Sequence, residues 1–201
     1  MTMARCTRAS SDAASDRAMQ YRSALPVLET TRLTLRAPVL EDFLLWARIS
    51  AEPGSEYLDG PATPQDAWTG FCGSVACWHL HGHGPFTLIR RADGAGLGFV
   101  FLGYEWADEE PELGWLLAQE ARGQGYGTEA ATAVRDWGLG LVPSFVSCVR
   151  TANAPSNALA RRLGAVIDRE ASARLGGNIW RHGSAPNAVT DLPRDHDEVG
   201  R

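Results

Sequence analysis

The chain has 201 residues, of which 44% are hydrophobic and 21% charged, with a formal net charge of −5. A chain of this length buries about 70% of its unfolded surface in one domain, and the composition is that of an ordinary globular protein. An acidic balance argues against nucleic acid as main partner, and no apolar run approaches the roughly 18 residues of a membrane helix. The N-terminus lacks the apolar core of a secretion signal, so a cytoplasmic protein is expected. All 19 basic residues are Arg, which reads as a compositional bias. The cysteines Cys6, Cys72, Cys77 and Cys148 form no C-x-x-C pair and are expected to be buried or inert thiols.

Residues 1 to 22 offer little to bury and are expected to be disordered, with Met19 as an alternative start. A domain is expected over residues 23 to 183, and Ser184 to Arg201 reads as a second disordered tail. Leu33, Leu35 and Ala37 alternate with polar residues and predict a half-buried strand. A helix follows, with Phe43, Trp46, Ala47 and Ser50 on one side. The next helix starts at a Thr63 cap with Pro64 in its first turn, and its stripe is Trp68, Phe71, Cys72, Val75 and Trp78. Gly82 and Gly84 break it.

Phe86–Arg91 and Leu97–Tyr104 predict a hairpin around Asp93-Gly94. A strand from Pro111 to about Ala118 follows. A Gly-rich loop then opens a helix carrying Ala130, Val134 and Trp137. Ser144–Arg150 reads as a strand, Pro155–Leu163 as a short helix closed by Gly164, and Ala165–Asp168 with Asn178–His182 as a terminal strand pair. The predicted fold is a mixed α/β domain around one sheet, with a β-α-β crossover in its second half.

Chemistry concentrates between Trp115 and Glu129. A strand ends, glycines crowd the turn, and a helix begins near Gly125. The open amides of a first helical turn favour an anion, and glycine lets backbone approach it. Thr128 adds a hydroxyl and Arg122 a cation. The run lacks the G-K-[ST] of a P-loop, and Thr128 stands where a dinucleotide fingerprint needs its third glycine. His79, His81 and His83 lack a carboxylate partner in sequence and read as a solvated helix end, with no metal expected.

Arg122-x-x-Gly125-x-Gly127 resembles the phosphate loop of the GNAT superfamily of N-acetyltransferases. Asn153-Ala-Pro-Ser156-Asn157 with Leu163-Gly164-Ala165 is similar to a second segment of that family. Leu28 to Arg36 and Trp180-Arg181-His182 resemble the first and last strands of its ribosomal-protein-alanine-acetyltransferase-like branch. The resemblance spans residues 28 to 183 and implies that fold, with two central parallel strands splayed apart.

The resemblance further implies acetyl-CoA as cofactor and a primary amine as acceptor: a protein N-terminus, an amino acid or a small amine. Backbone around Leu116 and Leu117 would pair with the pantetheine arm, and an N–H there would polarise the thioester carbonyl. Arg122, Gly123, Gln124, Gly125, Tyr126, Gly127 and Thr128 would hold the pyrophosphate. Asn153 would bond the pantetheine amide, with Asn157 nearby. Strand alternation puts Glu112 on the face of Gly114 and Leu116, which makes it the first choice of general base, with Glu105 second. Ser156 is the candidate acid, because Ala160 stands where many relatives carry a tyrosine. That departure also leaves room for a non-catalytic acyl-CoA-binding module. A monomer or homodimer is expected. Trp46 and Trp106 are candidates for the acceptor pocket.

Overall fold

A computed structural model describes residues 4–52 and 61–184. Eight strands form one sheet in the order β1-β2-β3-β4-β5-β6-β8-β7. The strands are β1 (Leu28–Glu29), β2 (Leu33–Arg36), β3 (Pro85–Arg90), β4 (Gly96–Gly103), β5 (Glu112–Leu117), β6 (Ser144–Val149), β7 (Val166–Ile167) and β8 (Asn178–Gly183). The helices are α1 (Asp12–Arg22), α2 (Phe43–Ala51), α3 (Pro64–Leu80), α4 (Tyr126–Leu139), α5 (Ala154–Arg162) and α6 (Arg169–Leu175).

Every neighbouring pair is antiparallel except β5 and β6, which α4 connects as a parallel crossover. Their register is a single residue pair, Glu112 opposite Val146. Beyond that pair the two strands part.

Local chemistry explains most element starts. The Thr63 side chain accepts from the Asp66 N–H, and Pro64 fills the first turn of α3. Asn153 and Asp168 cap α5 and α6 in the same way. Alternation sorts the two faces of the sheet. Phe99 meets Trp46 of α2 at 5.0 Å between ring centroids, so its face lies under α2. Leu102 and Phe145 lie on the opposite face, where a side chain at Gly138 of α4 would strike both. One large apolar cluster holds β2 to β5 with α2, α3 and α4. The β6–β8 end has two small ones, around Trp180 and around Ile179.

Several expectations are revised. Residues 12–22 form α1, capped by Ser11 accepting from the Ala14 N–H, though none of its residues is buried. Its polar Ala/Ser/Asp/Arg sequence has helical propensity but no stripe to bury, so packing arguments missed it. The Tyr21 hydroxyl and His79 Nδ1, 3.4 Å apart, link it to α3. In α3 it is Cys77, not Cys72, that is buried, and Cys6, Cys72 and Cys148 are exposed. The helix α6 was not anticipated, and the expected tail lies outside the described residues apart from Ser184.

Candidate active site

The parted strands leave backbone groups without ladder partners. Two side chains answer them. The Ser147 hydroxyl donates to the Leu113 carbonyl at 2.6 Å, and the Cys148 N–H donates to the Glu112 carboxylate at 3.1 Å. Ser147 in turn meets His182 Nε2 at 3.0 Å. With the serine proton committed to Leu113, the imidazole donates from Nε2 and leaves a bare Nδ1. That Nδ1 is buried with no partner among the described residues. Burial, then the charge of Arg135, pulls His182 down to about 4, so it is neutral.

A crevice of 420 Å³, measured out to open solvent, follows the split. Phe101, Glu112, Gly114, Trp115, Ser147, Cys148, Asn153 and Ser156 are among its lining residues. Glu112, Gly114, Phe101 and Cys148 belong to the α2/α3 face, whereas Trp115, Ser147, Asn153 and Ser156 belong to the α4/α5 face. The crevice therefore passes through the sheet. Gly114 is required here, because a Cβ on it would lie 2.0 Å from the Phe101 ring.

Glu112 is pushed up to about 7, first by burial and then by the charges of Glu105 and Asp108, against the opposing Cys148 N–H bond. A carboxyl poised there can accept a proton near neutral pH. Cys148 is exposed as a residue, but desolvation of its sulfur and the neighbouring Glu112 carboxylate raise its thiol and disfavour the thiolate. The Ser156 oxygen accepts from the Trp115 indole at 3.1 Å, which leaves its own proton available to a group in the crevice.

The glycine turn stands at the end of β5. Gly123 and Gly125 have φ of 73° and 82°, the left-handed region that glycine enters without strain. Residues 122 to 125 are exposed, and no atom within 4 Å would obstruct a Cβ at Gly123. The Glu129 N–H makes the first helical bond, to Gly125, so the preceding amides face outward from the helix end. Gly127 packs on Leu117 and Leu159, bringing the first turn of α4 against both β5 and α5. Gly123 stands open and the Arg32 guanidinium lies beside Gly125, so a glycine turn at a helix start with a cation next to it fits a pyrophosphate.

Other placements differ from expectation. Arg122 donates to the Leu117 carbonyl and to Glu52, turned back onto the strand end. The cations that sequence reading missed are Arg162, whose Nε donates to Thr128 Oγ1 at 3.3 Å, and Arg32. Arg32 covers the Tyr126 ring at 4.3 Å, donates to the Gln124 carbonyl, and pairs with Glu129 at 2.7 Å. Those links span 34 to 97 residues of sequence, and no local pattern signals them.

The Leu116 carbonyl is turned to Gly98 of β4, so by alternation it is Trp115 and Leu117 that present backbone to the split. Asn157 is buried and spent. The two N–H groups of its amide are shared among the backbone carbonyls of Arg150, Thr151 and Asn153, and its oxygen accepts from Asn178 and Trp180. It braces the Asn153 loop from behind. Ala160 is core, packed near Trp180, and Trp46 is core as well. His81 and His83 stack beside Tyr104, and no group of metal-binding side chains occurs among the described residues.

The parted sheet and the open helix start at the end of β5 suit a ligand laid between two strands with its anionic end at the turn. The chain belongs to the GNAT acetyltransferase family, whose Acetyltransferase (GNAT) domain model matches residues 32–166. It is similar to an acetyltransferase from Agrobacterium tumefaciens str. C58, at 34% identity and a TM-score of 0.75 over 80% of this chain and 96% of that one. It shares its fold with the Salmonella typhimurium acetyltransferase that modifies the N-terminal serine of ribosomal protein L7/L12, at 17% identity and a TM-score of 0.63 over 80% and 100%. A third likeness is to MccE, the microcin C7 self-immunity acetyltransferase in complex with acetyl-CoA and AMP, at 17% identity and a TM-score of 0.59 over 77% and 94%. No curated protein matches by sequence. The protein is an acetyl-CoA-dependent N-acetyltransferase, and no helix of the described residues is long and apolar enough to cross a membrane.

Proposed function

We propose that this enzyme acetylates a primary amine by direct transfer while both substrates are bound, with Glu112 as general base and Ser156 as general acid. Acetyl-CoA supplies an acyl group activated as a thioester. Residues 123 to 128, with Arg32 and Arg162 beside them, hold its phosphates, Asn153 binds the arm, and the Trp115 and Leu117 backbones line its path. Glu112 takes a proton from the incoming ammonium on the α2/α3 face, and the neutral amine then attacks the thioester carbonyl. Ser156 donates its proton on the α4/α5 face, where the thiolate leaves.

The observation that carries this reading is that Glu112 and Ser156 line one crevice from opposite faces of the sheet. The Glu112 carboxylate beside Cys148 disfavours a thiolate there, which argues against a covalent route through that thiol. The acceptor is a small amine or a protein N-terminus, and the acting unit a monomer or homodimer. Thiol release is to be followed with acetyl-CoA and a panel of amines at varied concentrations of both. Lines that intersect in the double-reciprocal plot, and a protein mass unchanged by acetyl-CoA alone, are expected. Parallel lines with a protein heavier by one acetyl group would overturn direct transfer.

A further inference from the structure

The two hydrogen bonds that cross the split share an origin. A parallel ladder repeats every second residue, and its last bond from β6 runs from the Val146 N–H to the Pro111 carbonyl at 3.0 Å. The next rung in that direction joins the Cys148 N–H to the Leu113 carbonyl. The pairing stops one step short of it, at Glu112 opposite Val146. Each of the two groups that would form it is engaged by a side chain from across the gap. The Leu113 carbonyl accepts from the Ser147 hydroxyl, and the Cys148 N–H donates to Glu112 Oε1.

The exchange is crosswise. Glu112 precedes Leu113 in β5, and Ser147 precedes Cys148 in β6. The two side chains lie on opposite faces of the sheet, so they hold the gap from both sides. The Ser147 hydroxyl has a single proton, and His182 directs it. Donation from His182 Nε2, 3.0 Å away, into the serine oxygen keeps that proton on the Leu113 carbonyl. Both residues are buried, so the hydroxyl is held in one arrangement.

From this exchange we infer that Glu112 and Ser147 are positioning residues that keep the split open for the arm of acetyl-CoA, by occupying both partners of the rung that would close it. The inference rests on the reading that the arm lies between β5 and β6. Glu112 thereby has two separable roles. A base needs the charge of its carboxylate, whereas the latch needs only an oxygen that accepts from the Cys148 N–H. Releasing one latch leaves the opposite group of the rung engaged. Releasing both hands the Cys148 N–H to the Leu113 carbonyl, and the seam runs on into the space the coenzyme needs. A protein whose open form is a small fraction of the whole binds with its affinity reduced by that fraction.

The test uses the full chain as Glu112→Gln, Glu112→Ala, Ser147→Ala and the Glu112→Ala/Ser147→Ala double variant. Coenzyme A affinity is measured by calorimetry, stability by urea unfolding, and rates by thiol release from acetyl-CoA. Glu112→Gln keeps an accepting oxygen, so its coenzyme affinity is expected within about twofold of wild type while kcat falls. Each single alanine variant is expected to bind about threefold to fivefold more weakly, and the double variant at least about fiftyfold, more than the two single effects multiplied. Its stability loss is expected to be smaller than the sum of the single losses, because the freed groups pair. Coupling that worsens binding and spares stability is the signature of a closing rung, which the loss of two independent supports does not give. A glutamine variant that binds coenzyme A as poorly as the alanine variant would overturn the inference. So would a double variant that is additive in both measures or fails to fold. An undiminished kcat in Glu112→Gln beside the expected affinities refutes the base and leaves the latch standing. Coenzyme affinity indifferent to all four substitutions would overturn the latch and the placement of the arm together.

Discussion

A base that works at neutral pH has to be poised near it, and the surroundings of Glu112 do this with desolvation and two neighbouring carboxylates. The proton-accepting form is the carboxylate, so activity rises with pH through about 7 and falls below it. Glu112→Gln is expected to lower kcat/KM by roughly 10²- to 10⁴-fold and to erase that inflection in a pH–rate profile recorded with a weakly basic amine. Retention of the wild-type profile would move the base elsewhere, with Glu105 next in line. His182 makes a separate statement about stability. Its ordinary value of 6.5 is depressed to about 4 by burial, so the unfolded chain takes up a proton that the folded one refuses. Stability is full above pH 6.5 and declines as pH falls towards 4, by at most about 3 kcal/mol from this residue. Urea unfolding of wild type and His182→Gln at pH 7 and pH 4.5 measures it. The pH-dependent loss is expected to be smaller in the variant.

At the scale of elements, the site depends on how strands and helix ends were made to part and meet. Gly125 caps α4 in a left-handed conformation at the proposed phosphate seat. Gly125→Glu brings strain, bulk and negative charge there together, and calorimetry is expected to show at least about a hundredfold loss of coenzyme A affinity. Ser147→Ala removes the strut across the split and strands both the Leu113 carbonyl and His182 Nε2. A stability loss of about 2 kcal/mol in urea unfolding is expected, and a change below about 0.5 kcal/mol, the scatter of a neutral surface substitution, would show that water replaces the strut.

These elements also mark how far the sequence could be read. The Thr63-Pro64 start of α3, the Asp93-Gly94 turn and the Arg122 to Gly127 loop are local signals, and each stands where expected. The alternation that brought Glu112 onto the face of Gly114 was equally local. The Ser147–His182 strut joins residues 35 apart, and the Arg32–Glu129 clasp joins residues 97 apart. Such contacts exist only once the chain has folded. Asn157 shows the converse. Its place in a family-like segment suggested a ligand contact, whereas both ends of its amide are taken up by protein partners.

Across the whole molecule, apolar packing is unequal. The large cluster belongs to β2–β5 and the helices over them, while most of β6, β8 and α6 rests on two small groups. Openings of lower free energy are therefore expected at the C-terminal end of the sheet. Native-state hydrogen exchange is expected to show β8 amides exchanging through an opening that leaves β3 and β4 protected. Coenzyme A, held between the two halves, is expected to slow β6 and β8 more than β3. Uniform protection across all strands would argue for a single cooperative unit.

The rung between Glu112 and Val146 holds a last consequence. The residue that fastens the two half-sheets also carries the carboxylate proposed as the base. Prying the seam wider to admit a bulkier acyl chain would displace that carboxylate from its Cys148 tether and let water in around it. A broader donor range is thus opposed by the loss of basicity it would cause. Variants that take longer thioesters should arise by trimming side chains such as Trp115 or Val149 at the far wall, leaving the fastening untouched.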